Sequence, residues 1–68
     1  MRVFGRLLSA RELDVLHDLP SRLTIPAIAA AEGVSENTVK THVRSIYQKL
    51  GVNTRSAAVR EARGRGLV

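Results

Sequence analysis

The stretch Ser35-Glu36-Asn37-Thr38-Val39-Lys40-Thr41-His42-Val43-Arg44, reached through Glu32-Gly33-Val34, decides how this chain folds. Ser35 is a favoured N-cap type, and the apolar residues behind it recur at helical spacing. On a wheel of about 100° per residue, residues 36–50 bring Val39, Val43, Ile46 and Leu50 into one narrow arc, the expected core face. Asn37, Lys40, Thr41, Arg44 and Gln48 lie opposite. Thr38, His42, Ser45 and Lys49 form one flank, and Glu36 and Tyr47 the other. A short Ala-rich segment and a glycine turn precede this helix, which is the pattern of a helix-turn-helix.

Working outward, one capping rule repeats along the chain. A polar N-cap has an apolar residue before it and another at the fourth helical position: Leu8-Ser9 with Leu13, Leu23-Thr24 with Ile28, Val34-Ser35 with Val39, and Val52-Asn53 with Ala57. Glu12 completes a capping box with Ser9, and Pro26 sits in a first turn, where its missing N–H costs nothing. Pro20, Gly33, Gly51 and then Gly64 or Gly66 supply the stops. These signals predict helices near 10–19, 25–31, 36–50 and 54–63. The expected fold is all-α, a four-helix bundle containing a helix-turn-helix over residues 9–68. Residues 1–8 read as a linker or arm, with Phe4 and Leu7 able to pack back.

Composition bounds the function. At 68 residues the chain is one small domain without cysteine, so neither disulfides nor thiolate metal sites hold it together. One Phe, one Tyr and no Trp make a poor platform for stacking unpaired bases. No apolar run approaches the roughly 20 residues that span a bilayer. Arg2 is followed only by Val3-Phe4, too little for a signal peptide, and the expected compartment is the cytoplasm. In residues 1–34, Arg2, Arg6, Arg11 and Arg22 cancel Glu12, Asp14, Asp18 and Glu32. Residues 35–68 carry Lys40, Arg44, Lys49, Arg55, Arg60, Arg63 and Arg65 against only Glu36 and Glu61, and hold the whole net charge of +5. A basic half beside a neutral half fits a surface that faces a polyanion.

The outer face of helix 36–50 suits base edges. Lysine or arginine reaches guanine acceptors, asparagine pairs with adenine, and a threonine methyl meets a thymine methyl. Hydroxyl, imidazole and ammonium groups on the flank suit phosphates, as do the free N–H groups from Ser35 to Thr38. Protonation of His42 would tighten such a contact. His17 lies on another predicted helix and forms no metal motif with His42.

From Ser9 to Val68 the chain resembles the DNA-binding domain of the LuxR family, also called GerE-type. The resemblance is carried by Leu8-Ser9-Ala10-Arg11-Glu12-Leu13, Ile28-Ala29, Val34 to His42, and Lys49-Leu50-Gly51-Val52. It implies a regulator's effector domain that binds double-stranded DNA with helix 36–50 in the major groove, with no cofactor. It also implies base contacts from Lys40, Thr41 and Arg44, and backbone contacts from Thr38, His42 and neighbouring polar residues. The residues themselves add Asn37 to the base contacts and Ser35, Lys49 and Arg55 to the phosphate contacts. A homodimer formed through the fourth helix, mainly on DNA, would use Ala57, Ala58 and Glu61, and RNA polymerase would be a further partner. Ala10 replaces the proline common at that place. The wording Leu19-Pro20-Ser21-Arg22-Leu23-Thr24 is similar to that of large ATP-binding regulators of the family, although this chain has no phosphate-binding Gly-Lys-Ser/Thr loop of its own.

Two other classes fit the sequence less well. An adaptor that docks proteins needs an exposed apolar groove, and the wheel puts none on the outer face of helix 36–50. An enzyme needs a nucleophile–base or carboxylate pair at useful spacing in a pocket, and none stands out.

Overall fold

The computed structural model describes residues 8–68. The helices are α1 (Ala10–Asp18), α2 (Ile25–Glu32), α3 (Glu36–Leu50) and α4 (Arg55–Gly64), with no strand among the described residues. Phe4 and Leu7, and nearly all of the expected arm 1–8, lie outside the described residues. Its last residue, Leu8, is buried in the core.

Each helix begins on a hydroxyl. Ser9, Thr24, Ser35 and Thr54 have extended backbones and accept from the N–H of Glu12, Ala27, Thr38 and Ala57, respectively. Glu12 closes the predicted box by accepting from the Ser9 N–H at 2.9 Å. The fourth start corrects the sequence reading: the cap is Thr54, not Asn53. Cap preference alone ranks asparagine above threonine, so the sequence favours a start one residue early. Its consequence is that Ala58, not Ala57, faces the core at the fourth helical position.

Three helices also end alike. Gly33 sits at φ 69° and donates to Ala30 O at 3.3 Å, while the next N–H, from Val34, reaches Ala29 O at 3.0 Å. Gly51 and Val52 repeat this on Gln48 and Tyr47, and Gly66 and Leu67 on Arg63 and Ala62. These paired bonds satisfy carbonyls that a helix end would otherwise orphan, and the residue after each glycine turns inward. Val34, Val52 and Leu67 all pack against the core. An added Cβ at Gly33 would meet nothing within 4 Å, so its constraint is the left-handed backbone rather than space.

The core is Leu8, Val15, Leu16, Leu19, Ile28, Ala29, Val39, Ile46, Leu50, Ala58 and Ala62. Its centre is α3, which packs against α1, α2 and α4, while α1 also touches α2. The long helix is therefore held from three sides, and only its remaining surface is available to a ligand. Val43, placed in the core by the wheel, is half-buried and sits at the edge of that surface.

Candidate nucleic-acid interface

Three features fix how α3 is presented. Ser35 Oγ accepts from the Thr38 N–H at 3.1 Å and lies 2.9 Å from Thr38 Oγ1. Val34 and Val39 then pin the first turn inward. The turn at Gly33 holds α2 directly before α3, so the two helices form one unit with a short, closed connection. On the surface left open, Asn37, Lys40, Thr41, Arg44 and Gln48 are all exposed, as the wheel places them.

Among the described residues Lys40 and Arg44 make no hydrogen bond and no ion pair. Both cations are thus available to an external acceptor. Thr41 Oγ1 donates back to Asn37 O at 2.9 Å. With its hydroxyl proton spent on the helix, the exposed Thr41 has no proton to donate outward and keeps its methyl, the group suited to a thymine methyl. Thr38 and His42 are half-exposed on the flank beside this face.

The rest of that flank is engaged within the protein itself. Lys49 Nζ lies 2.8 Å from Glu12 Oε1, and the Glu12 side chain is 8% exposed. Ser45 bonds the same carboxylate. Burial alone would push the Glu12 carboxyl up. Hydrogen bonds from Lys49, Ser45 and the Ser9 amide outweigh that and bring it down to about 2. Glu12 therefore closes the α1 cap and ties α1 to the last turn of α3. Sequence reasoning found the first role and missed the second, because the pair spans 37 positions and carries no local pattern.

Arg55 differs from its expected role for a similar reason. Its Nε donates to Leu19 O at 2.9 Å, Nη1 to Leu23 O at 2.7 Å, and Nη2 to Ser21 O at 2.9 Å and Asp18 O at 3.4 Å. A planar guanidinium with five donors can collect several carbonyls at once, and a lysine cannot. Arg55 gathers the α1–α2 loop onto the start of α4. On α4 itself, Ala58 is fully buried and offers no surface to a second subunit. Ala57 and Glu61 are half-exposed, and Glu61 pairs with Arg65 at 2.7 Å.

One feature of the site lies beyond what a helical wheel can show. Beside this exposed polar face, on the Tyr47 flank, a cleft of about 440 Å³ is lined by Ile25, Lys40, Val43, Arg44, Tyr47 and Arg55. A wheel describes one helix, and Ile25 comes from another.

A supported helix that shows unpaired cations and small polar groups, set behind a glycine turn, defines a helix-turn-helix DNA-binding domain. Residues 6–62 match the family described as "Bacterial regulatory proteins, luxR family". The chain belongs to that family of bacterial regulatory proteins, and the function of this domain is DNA binding. It is 55% identical over 56 residues to the probable transcriptional regulatory protein NarL of Mycobacterium tuberculosis, covering 82% of this chain and 26% of that one. To the nitrate/nitrite response regulator protein NarP of Escherichia coli it is 48% identical over 52 residues, 76% of this chain and 24% of that one. The crystal structure of the response regulator ChrA, from a heme-sensing two-component system, superposes with a TM-score of 0.86 at 48% identity. It covers 90% of this chain and 30% of that one. The chain thus spans about a quarter of the length of the curated relatives it matches. No helix among the described residues is long and apolar enough to cross a membrane.

Proposed function

We propose that this chain reads double-stranded DNA by laying α3 in the major groove, with Lys40, Thr41, Arg44 and Asn37 at base edges and Ser35, Thr38 and His42 at phosphates. The observation that carries the reading is the pair Lys40 and Arg44. They are exposed and unpaired, and stand with Asn37 and Thr41 on the outer face of a helix anchored on three sides. Lys49 and Arg55 are assigned to the protein's own architecture rather than to phosphate.

The intact regulator works in the cytoplasm, pairs on DNA as a weak homodimer through α4, and meets RNA polymerase there. Ala57 and Glu61 are the α4 surface assigned to pairing. They bury little area, which fits association that depends on DNA. The test is selection of bound sites from random duplex DNA. An inverted repeat with half-sites about one helical turn apart is expected. Binding that shows no sequence preference at moderate salt would overturn the reading.

A further inference from the structure

The cleft beside α3 has a floor and a charged rim. Ile25, Val43 and Tyr47 form the floor, each half-buried against the core. Lys40, Arg44 and Arg55 stand around it, and no carboxylate lines it. The α3 residues follow the spacing 40, 43, 44, 47, so they make one stripe along the helix. Lys40 and Arg44 also belong to the base-reading face, which makes the cleft continuous with it. The Tyr47 hydroxyl makes no hydrogen bond among the described residues. Burial, opposed by the charge of Arg55, holds the phenol above its ordinary range, so it keeps its proton and remains a donor at neutral pH.

A helix in a major groove about 12 Å wide has a backbone strand on each side. Ser35, Thr38 and His42 occupy one flank of α3, and the cleft occupies the other. We infer that the cleft seats the sugar–phosphate backbone of the second strand. Deoxyribose carbons rest on Ile25 and Val43, and Tyr47 donates its hydroxyl proton to a phosphate oxygen that lies in the positive field of the rim, while Arg55 keeps its carbonyl bonds. An anionic chain with apolar sugar edges matches both the rim and the floor. The contact is blind to sequence, but with the opposite flank it fixes the angle of α3 and so the register in which Lys40 and Arg44 meet bases. The inference rests on α3 lying in the major groove.

The experiment uses the whole chain and a duplex obtained by site selection. Tyr47→Phe keeps the ring and removes the donor. Its binding should weaken about threefold to tenfold, the size of one hydrogen bond, on every sequence alike and with base preference intact. Single phosphates of the duplex are then replaced by neutral methylphosphonates. At one position on the strand facing the cleft, wild-type binding should fall while Y47F binding falls much less. Ile25→Glu places an acid in the first turn of α2, where the helix tolerates it. It should repel the backbone and weaken binding more than Y47F does, with both variants confirmed folded by their melting curves. Folded variants that bind as wild type, or methylphosphonate losses equal in wild type and Y47F at every position, overturn the inference and leave the cleft to a protein segment. If the wild-type chain selects no site at all, the major-groove reading fails and takes this inference with it. If it selects sites while both variants are unaffected, only the cleft assignment falls.

Discussion

Two pairs of cations from the same basic half of the chain are used in opposite ways. Lys40 and Arg44 project from α3 with no partner among the described residues. Lys49, one turn beyond Arg44, is held 2.8 Å from a buried carboxylate, and Arg55 spends its guanidinium on four backbone carbonyls. The difference teaches that net charge overstates the surface that faces DNA. Of these four cations, expected from the sequence to touch nucleic acid, two are bound into the scaffold and two stand free for the proposed contacts. Removing a scaffold cation or its partner should therefore change stability, and removing a reading cation should change binding alone.

The largest effect is expected at Glu12, the hub of the scaffold pair. Its carboxyl is lowered from 4.5 to about 2 in the folded chain. A depressed carboxyl stabilises the fold above its unfolded value and loses that contribution as pH falls through the folded one. Stability should thus drain away between about pH 5 and pH 2, by about 3 kcal/mol in all. Glu32 works in the other direction. The hydrogen bond that a protonated Glu32 can give Asp18, with some burial and the negative charge of Asp18, raises its carboxyl, so protonation in acid favours the folded chain there. Water reaches Glu32 at the surface and screens it, so Glu12 dominates. Glu12→Gln should flatten the acid limb of a stability profile. Glu12→Ala should lower the melting temperature by roughly 10–20 °C for a domain of this size. An acid limb unchanged in Glu12→Gln would break the scaffold assignment.

Next comes Arg55. Arg55→Ala frees the carbonyls of Asp18, Leu19, Ser21 and Leu23, at a cost of about 1–3 kcal/mol, because charged donors are lost but water can reach the loop. Amide exchange in residues 19–24 should accelerate before exchange in α3. Arg55→Lys should recover little, since an ammonium cannot hold several carbonyls in one plane. Full recovery by lysine would argue for a phosphate contact instead.

The reading pair gives the complementary result. Lys40→Ala or Arg44→Ala should cost about 1–3 kcal/mol of binding and relax preference at one base pair. Unfolding should change by no more than about 0.5 kcal/mol. A matching loss of stability in either variant would mean that the two pairs do not differ as described.

The contrast also shows what a sequence can disclose here. Caps, glycine stops and the α3 wheel are local signals, repeated within three or four residues, and they located all four helices and the exposed polar face of α3. The Glu12–Lys49 tie and the Arg55 clamp join positions more than 30 residues apart and leave no local trace. A lysine that pairs with a buried carboxylate looks, in sequence, like a lysine waiting for phosphate. The Thr54 start is one residue away from the expected Asn53, which moves the apolar staple position from Ala57 to the buried Ala58. The cleft needed Ile25 and Arg55 brought to α3 from outside it.

The smallest expected effect is a deliberate absence of one, and it separates Lys49 from Arg44 most cleanly. Each cation that neutralises a phosphate releases counterions, so its loss lowers the slope of log K against log salt by about 1. Arg44→Gln should lower that slope if Arg44 lies near the backbone while reaching a base, and Lys49→Gln should leave it unchanged. Lys49→Gln also destabilises the fold by leaving Glu12 without its cation, so the comparison belongs at low temperature, where both variants are folded. Under those conditions a loss of affinity in Lys49→Gln with an intact slope reports a shifted scaffold. A slope reduced by about 1 would return Lys49 to the phosphate surface, because salt dependence counts charges at the interface and is indifferent to how well α1 is held.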